Sequence, residues 1–138
     1  MLFTKSTAYA LQALIELSSY DKPVDVNTLS EKTDIPKPFL AKLLQNLSKK
    51  NVIKSYKGIH GGFLLTKKPE EIKILDIFKT IEDKDSLVFY CSSNSQNCTR
   101  ERSSICSTMP FFNRLENEIE TIIDKYTLAD VIRIKSGK

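Results

Sequence analysis

The sequence predicts a mostly α-helical chain with one small β-hairpin, and three observations carry that prediction. Apolar residues recur at helical spacing through most of the chain, two short extended runs flank a glycine cluster, and prolines stand where helices begin or end. The 138 residues are 41% hydrophobic and 28% charged, the balance of an ordinary folded domain. That length fits one compact domain, or one small domain with an arm.

Residues 7–19 read as a first helix, with Ala8, Leu11, Leu14 and Ile15 on one face and Ala13 and Leu17 widening it. Asp21-Lys22-Pro23 ends it, because proline cannot continue a helix. Asp25 is the expected cap of a short second helix, whose buried side begins with Val26, Leu29 and Ser30 and which stops near Thr33-Asp34. Pro36 and Pro38 open a third helix that runs to about Lys50, since proline suits a first turn whose amides lack partners anyway. Leu40, Leu43, Leu44 and Leu47 give it a buried stripe, and Lys37, Lys42, Gln45, Asn46, Lys49 and Lys50 an opposite polar face.

Residues 52–56 and 63–66 read as strands of a hairpin. Between them Lys57-Gly58-Ile59-His60-Gly61-Gly62 supplies the glycines that a tight reversal needs. A fourth helix covers 74–81 with Leu75 and Phe78 buried. From 83 to 107 the periodicity fails in a stretch rich in Ser and Asn that holds all three cysteines; a length without pattern in a compact chain is usually functional or disordered. A last long helix starts near Pro110. Its Phe112, Leu115, Ile119, Ile122 and Tyr126 step by 3, 4, 3, 4, a coiled-coil-like seam along a rod of ~25 Å. Thr127 with Asp130 is a capping box that opens a short final helix.

This order divides the chain into a DNA-binding unit at 1–82, a cysteine-bearing segment at 83–107, and a dimerisation helix with a short closing helix at 108–138. The division rests on charge as well as on pattern. The net charge is +4, with residues 1–68 at +6 and residues 69–138 at −2, so a polyanion partner is expected for the first half. No apolar run is long enough to span a membrane, and the N-terminus lacks a signal-peptide core, which makes the cytoplasm the expected compartment and reduced thiols the expected state. A single histidine, no phosphate loop and no recognisable nucleophile–base motif argue against an enzyme.

Two short helices joined by a tight turn, followed directly by a glycine-tipped hairpin, make a winged helix-turn-helix. In that arrangement the third helix enters the major groove of duplex DNA with its N-terminal residues at the base edges. The candidate DNA contacts are Lys5 and Thr28 ahead of that helix, Lys37, Pro38, Phe39 and Lys42 within it, and Lys57, Gly58, His60 and Gly61 at the wing. Phe39 either meets a thymine methyl or packs inward. The bland alternative is a set of solvated lysines on a protein-binding adaptor with no operator.

Cys91, Cys98 and Cys106 have the spacing C-x6-C-x7-C, without the CxxC pair of a zinc ribbon. Three soft thiolates in a polar loop suit an iron–sulfur cluster, 2Fe-2S or 4Fe-4S, with a fourth ligand from elsewhere, and Arg100 and Arg102 beside them favour the thiolate form. Three unliganded thiols acting as an oxidation switch are the other reading.

Five segments together resemble one family, the winged-helix transcription regulators that include the iron–sulfur regulators IscR and NsrR. They are Thr4-Lys5-Ser6-Thr7-Ala8-Tyr9-Ala10-Leu11, Ile35-Pro36-Lys37-Pro38-Phe39-Leu40-Ala41-Lys42-Leu43-Leu44, Gly58-Ile59-His60-Gly61-Gly62-Phe63-Leu64-Leu65, Ile74-Leu75-Asp76-Ile77 before the cysteines, and Thr127-Leu128-Ala129-Asp130-Val131. The resemblance spans nearly the whole chain. It implies a homodimer formed through the long helix, a partly palindromic operator, and a cluster on Cys91, Cys98 and Cys106 that senses redox state, nitric oxide or iron. The chain departs from the family's pattern in its longer cysteine spacing, in Ser107-Thr108-Met109 where a ligand histidine follows in IscR-like members, in Ala8 where NsrR-like members place a carboxylate, and in Ala41 where IscR has a base-reading acid. The fourth ligand is open among Asp83, Asp85, Glu101, His60 and an outside group.

Overall fold

The computed structural model describes residues 3–83, 87–88 and 107–137. Helix α1 (Lys5–Leu17) begins two residues before the expected start. The reason is a distant carboxylate. Glu82 Oε1 accepts from the Thr4 N–H at 3.1 Å and from both the Thr4 and Thr7 hydroxyls, so the first turn is capped from outside. The helix stops at Leu17, where the Ser18 and Ser19 hydroxyls donate to the Ile15 and Glu16 carbonyls. Its buried side is Thr7, Ala10, Ala13, Leu14 and Leu17; Ala8, expected on that face, is exposed, and Leu11 and Ile15 are half-buried flanks.

Helix α2 (Val26–Thr33) is capped as expected, with Asp25 Oδ1 accepting from the Thr28 N–H at 2.7 Å. It buries Leu29, while Val26 and Ser30 are half-buried. The reversal into α3 (Lys37–Lys49) turns on Asp34, whose φ of 58° lies in the left-handed region that Asp tolerates better than most residues. Ser30 Oγ pins that turn by donating to the Ile35 carbonyl at 2.6 Å. All four stripe leucines of α3 are buried.

The hairpin is antiparallel, β1 (Ile53–Tyr56) against β2 (Gly62–Leu65), in register from Ile53 opposite Leu65 to Tyr56 opposite Gly62. Its root is tied to the turn before α2, where Val24 and Phe63 exchange both backbone hydrogen bonds at 2.9 and 2.8 Å. Gly62 makes that approach available: its φ is 143°, and a Cβ there would lie 2.3 Å from the Val24 carbonyl oxygen.

After a 3-10 turn at Pro69–Glu71, α4 (Ile74–Glu82) buries Ile74, Leu75, Ile77 and Phe78. Helix α5 (Met109–Asp124) faces the core with Met109, Glu116 and Ile123. The predicted seam lies roughly a quarter-turn round from them. Its Phe112, Leu115 and Ile119 are half-buried, whereas Ile122 and Tyr126 are exposed, as is Phe111 beside them. Helix α6 (Leu128–Lys135) starts at the expected capping box, with the Thr127 N–H donating to Asp130 Oδ2 at 2.9 Å and the Asp130 N–H donating to Thr127 Oγ1 at 3.4 Å. Leu128 donates its N–H to the Ile72 carbonyl at 2.8 Å, and its side chain is fully buried in the same core as Leu14, Leu44 and Phe78. No helix among the described residues is long and apolar enough to cross a membrane.

Two capping carboxylates set an acid limit on this arrangement. Hydrogen bonds from the Thr28 N–H and hydroxyl hold Asp25 below its ordinary value of 3.8, and the Thr127 N–H does the same for Asp130. A carboxyl depressed in the folded state stabilises it above the unfolded value and loses that contribution as pH falls through the folded one. In chemical denaturation, wild type is expected to lose stability as pH falls from about 5 through the folded-state values of these two carboxyls. The Asp25→Asn/Asp130→Asn variant is expected to start lower and to lose less over that range.

Candidate nucleic-acid interface and the cysteine segment

Because the leucine stripe of α3 is turned inward, the first turn of that helix and the side chain one turn on face out. Lys37, Pro38, Phe39 and Lys42 are all exposed. Phe39 does not pack inward. It stands 38% exposed with its ring edge-to-face against Tyr9 of α1 at 5.5 Å between centroids, which couples the two helices at the outer surface. The charge of Lys37 favours the carboxylate of Asp25 at the N-terminus of α2, after the larger contributions from Thr28 and Asn27. Thr28 is half-buried there and engages Asp25 through both its N–H and its hydroxyl. Lys5 is exposed in the first turn of α1.

At the wing, Lys57, Gly58 and His60 are exposed and Gly61 is half-buried. The Gly61 N–H donates to the Gly58 carbonyl at 3.0 Å and closes the tip. A Cβ at Gly61 would lie 2.3 Å from the Tyr56 carbonyl oxygen, so only glycine permits this closure. On β1, Lys54 lies 5.1 Å over the Tyr56 ring. From Ile35 to Lys68 the chain carries eight lysines and no acid, and this run includes both α3 and the wing. Two residues absent from the sequence-based contacts belong to this surface. Tyr9 buttresses Phe39, and Ile59, at 98% exposure, occupies the apex of the tip. The signal for Ile59 is an aliphatic residue in an otherwise polar and glycine-rich turn.

Cys91, Cys98 and Cys106 lie outside the described residues, as does Asp85. Among the described residues no three His, Cys, Asp or Glu side chains gather as a metal site. What is described is how the cysteine segment is held at its start. Glu82, the last residue of α4, caps α1. Glu116 of α5, only 1% exposed, accepts from the N–H groups of Leu87 and Val88 at 2.5 and 2.9 Å. Three to four residues before Cys91 the chain is thus fastened to α5 by a buried carboxylate. Periodicity hides this role, because an acid beside Leu115 looks like an ordinary polar position on a helix.

The family profile described as "Rrf2: Iron-dependent Transcriptional regulator" matches residues 3–134. An HTH-type transcriptional regulator of Aquifex aeolicus is 33% identical over 136 residues, 98% of this chain and 94% of that one. The HTH-type transcriptional regulator NsrR of Bacillus licheniformis is 29% identical over 134 residues, 96% of this chain and 92% of that one. Among solved structures, T. potens IscR superposes with a TM-score of 0.71 at 25% identity, covering 99% of this chain and 88% of that one.

The Glu116 anchor has a measurable consequence. Glu116→Ala leaves two backbone N–H groups in the interior without this acceptor and opens a cavity, so it is expected to lower unfolding free energy by about 2–4 kcal/mol in denaturant titration. Glu116→Gln, which keeps one acceptor oxygen, is expected to lose less.

Proposed function

The chain belongs to the Rrf2 family of transcriptional regulators, and on that premise we propose that it is a homodimeric operator-binding regulator whose three cysteines form its sensor. DNA binding is the coarser part of this reading and follows from the family. The observation that carries the finer part is the placement of Lys37, Pro38, Phe39 and Lys42 on the outward side of α3, in a lysine-rich run of the chain that holds no acid from Ile35 to Lys68 and continues into the wing. The N-terminal turn of α3 reads base edges, and Lys5, Lys57 and His60 meet the backbone on either side. Thr28, Gly58 and Gly61 let the duplex approach closely. The second copy docks on the apolar edge of α5, where Phe111, Ile122 and Tyr126 are left uncovered. Such a protein acts in the cytoplasm, where the chromosome is, as a regulator and not as an enzyme.

Cys91, Cys98 and Cys106 would hold an iron–sulfur cluster, since three thiols suit iron and the relative from Bacillus licheniformis carries the name NsrR. A bound cluster supplies a group that reacts with oxidants and nitric oxide. The chain's own part is mechanical. Glu82 joins the end of α4 to the first turn of α1, next to Lys5, and Glu116 joins Leu87 and Val88 to α5, the helix that also carries the docking edge. A change in the segment therefore reaches both the DNA-binding helices and the dimer. A second reading, a metal-free thiol switch, has its own support: exposed Ala8 offers no ligand, Ser107 and Thr108 offer none after the third cysteine, and His60 stands at the wing tip.

Chain purified without oxygen from iron-replete cells is expected to absorb broadly from about 320 to 450 nm, and Cys98→Ala to be colourless. A colourless wild type that titrates with thiol oxidants would select the thiol switch instead. Separately, Lys42→Ala is expected to weaken duplex binding by a similar factor on every sequence. It should also reduce the slope of log K against log salt by about 1, measured by fluorescence anisotropy.

A further inference from the structure

The apex of the wing carries a side chain that solvent does not favour. Ile59 is 98% exposed, the largest exposure among the big apolar residues described. It is one of the two central residues of the turn that the Gly61 N–H closes on the Gly58 carbonyl at 3.0 Å, and His60 is the other. Val24 and Phe63 tie the root of the hairpin to the frame with two hydrogen bonds, and the apex projects beyond it uncovered. We propose, resting on the operator reading above, that Ile59 is an apolar probe of the DNA minor groove that makes the wing select A·T pairs.

Three features favour the minor groove over other occupants. Ile59 is a lone aliphatic between Gly58 and His60, with Lys57 next along, whereas a protein-docking surface needs an apolar cluster at its centre. Along the chain the charge has one sign: Lys49, Lys50, Lys54, Lys57, Lys67 and Lys68 flank the hairpin with no acid between them, and the acid that the fold brings to it, Asp25, lies at the root beside Gly62 and not at the apex. The shape fits as well. The minor groove is about 6 Å wide, too narrow for a helix but open to the two side chains at the apex of a turn. Apolar residues there pack on sugar walls or wedge at a base step, while cations on either side meet the phosphates.

The floor of that groove supplies the selectivity. A·T pairs present only acceptors, whereas guanine adds a 2-amino group that projects into the groove. Isoleucine offers that amino group no acceptor, and its methyls need the space the group fills. The recognition helix reads the major groove, so the two sources of sequence preference can be separated chemically.

The test starts from a duplex obtained by in vitro selection with the wild-type chain. Replacing adenine by 2,6-diaminopurine adds an amino group in the minor groove and leaves the major-groove pattern of A·T unchanged. Scanned along the duplex, this replacement is expected to weaken wild-type binding about tenfold at the positions beneath the wing, the size expected for displacing one aliphatic side chain from an apolar contact. Ile59→Ser is expected to melt at the wild-type temperature, to bind the unmodified duplex about tenfold more weakly, and to ignore diaminopurine at those positions. Wild-type affinity in Ile59→Ser overturns the inference. So does a loss that leaves the diaminopurine effect intact, which would place Ile59 outside the groove. A change in sedimentation without a change in DNA affinity also overturns it, by assigning Ile59 to a contact between copies. In those three cases the operator reading stands; a wild-type chain that selects no duplex ends both.

Discussion

The rotational setting of α3 is the constraint on which the rest depends. Four leucines at 40, 43, 44 and 47 can be buried on one side only, and doing so leaves no freedom in what the helix presents outward. Burial of four such side chains is worth several kcal/mol, far more than any preference of the exposed lysines for one orientation. The polar face is thus a consequence of the apolar one. The same packing brings α3 against α1 so that Phe39 and Tyr9 meet at the surface, and it leads through Val52 and Ile53, both buried, directly into β1. Helix, turn and wing then share one rigid frame.

Much of this frame was legible because the signals were local. The cap at Asp25, the prolines around α3, the leucine stripe, the glycine-tipped hairpin and the capping box at Thr127 each lie within a few residues of the structure they determine. Misreadings arose where a distant residue intervened. The start of α1 depends on Glu82, 78 residues away, and no spacing rule within residues 1–19 announces it. Periodicity sets the seam on α5 but does not announce which side meets the core: that side passes through Glu116, and two of the five seam residues, Ile122 and Tyr126, are exposed. At the interface the charged and glycine positions were legible by type. Tyr9 and Ile59 were not, because an aromatic at helical spacing reads as core and an aliphatic in a turn reads as noise.

Glu82 and Glu116 form a pair in purpose. Each carboxylate takes backbone donors from another part of the chain, Glu82 from Thr4 and Glu116 from Leu87 and Val88. A buried carboxylate is an expensive way to fix two amides, since apolar packing alone avoids desolvating a charge. Its advantage is direction. Two hydrogen bonds to successive N–H groups set the path of the backbone through Leu87 and Val88 as well as its position.

The wing combines a closed root with an open apex. At Gly62 any side chain would collide with the Val24 carbonyl, and at Gly61 with that of Tyr56, so the hairpin is admitted to the frame only on those terms. Beyond them, Lys57, Ile59 and His60 are exposed and Ile59 contributes nothing to the core. The arm behaves as an interchangeable cassette: its apex can be rewritten by mutation or by grafting without disturbing the domain that carries it. On the operator reading proposed above, divergence of target preference between duplicated copies of such a gene has its easiest route here, through the three codons at 57, 59 and 60 that folding does not police.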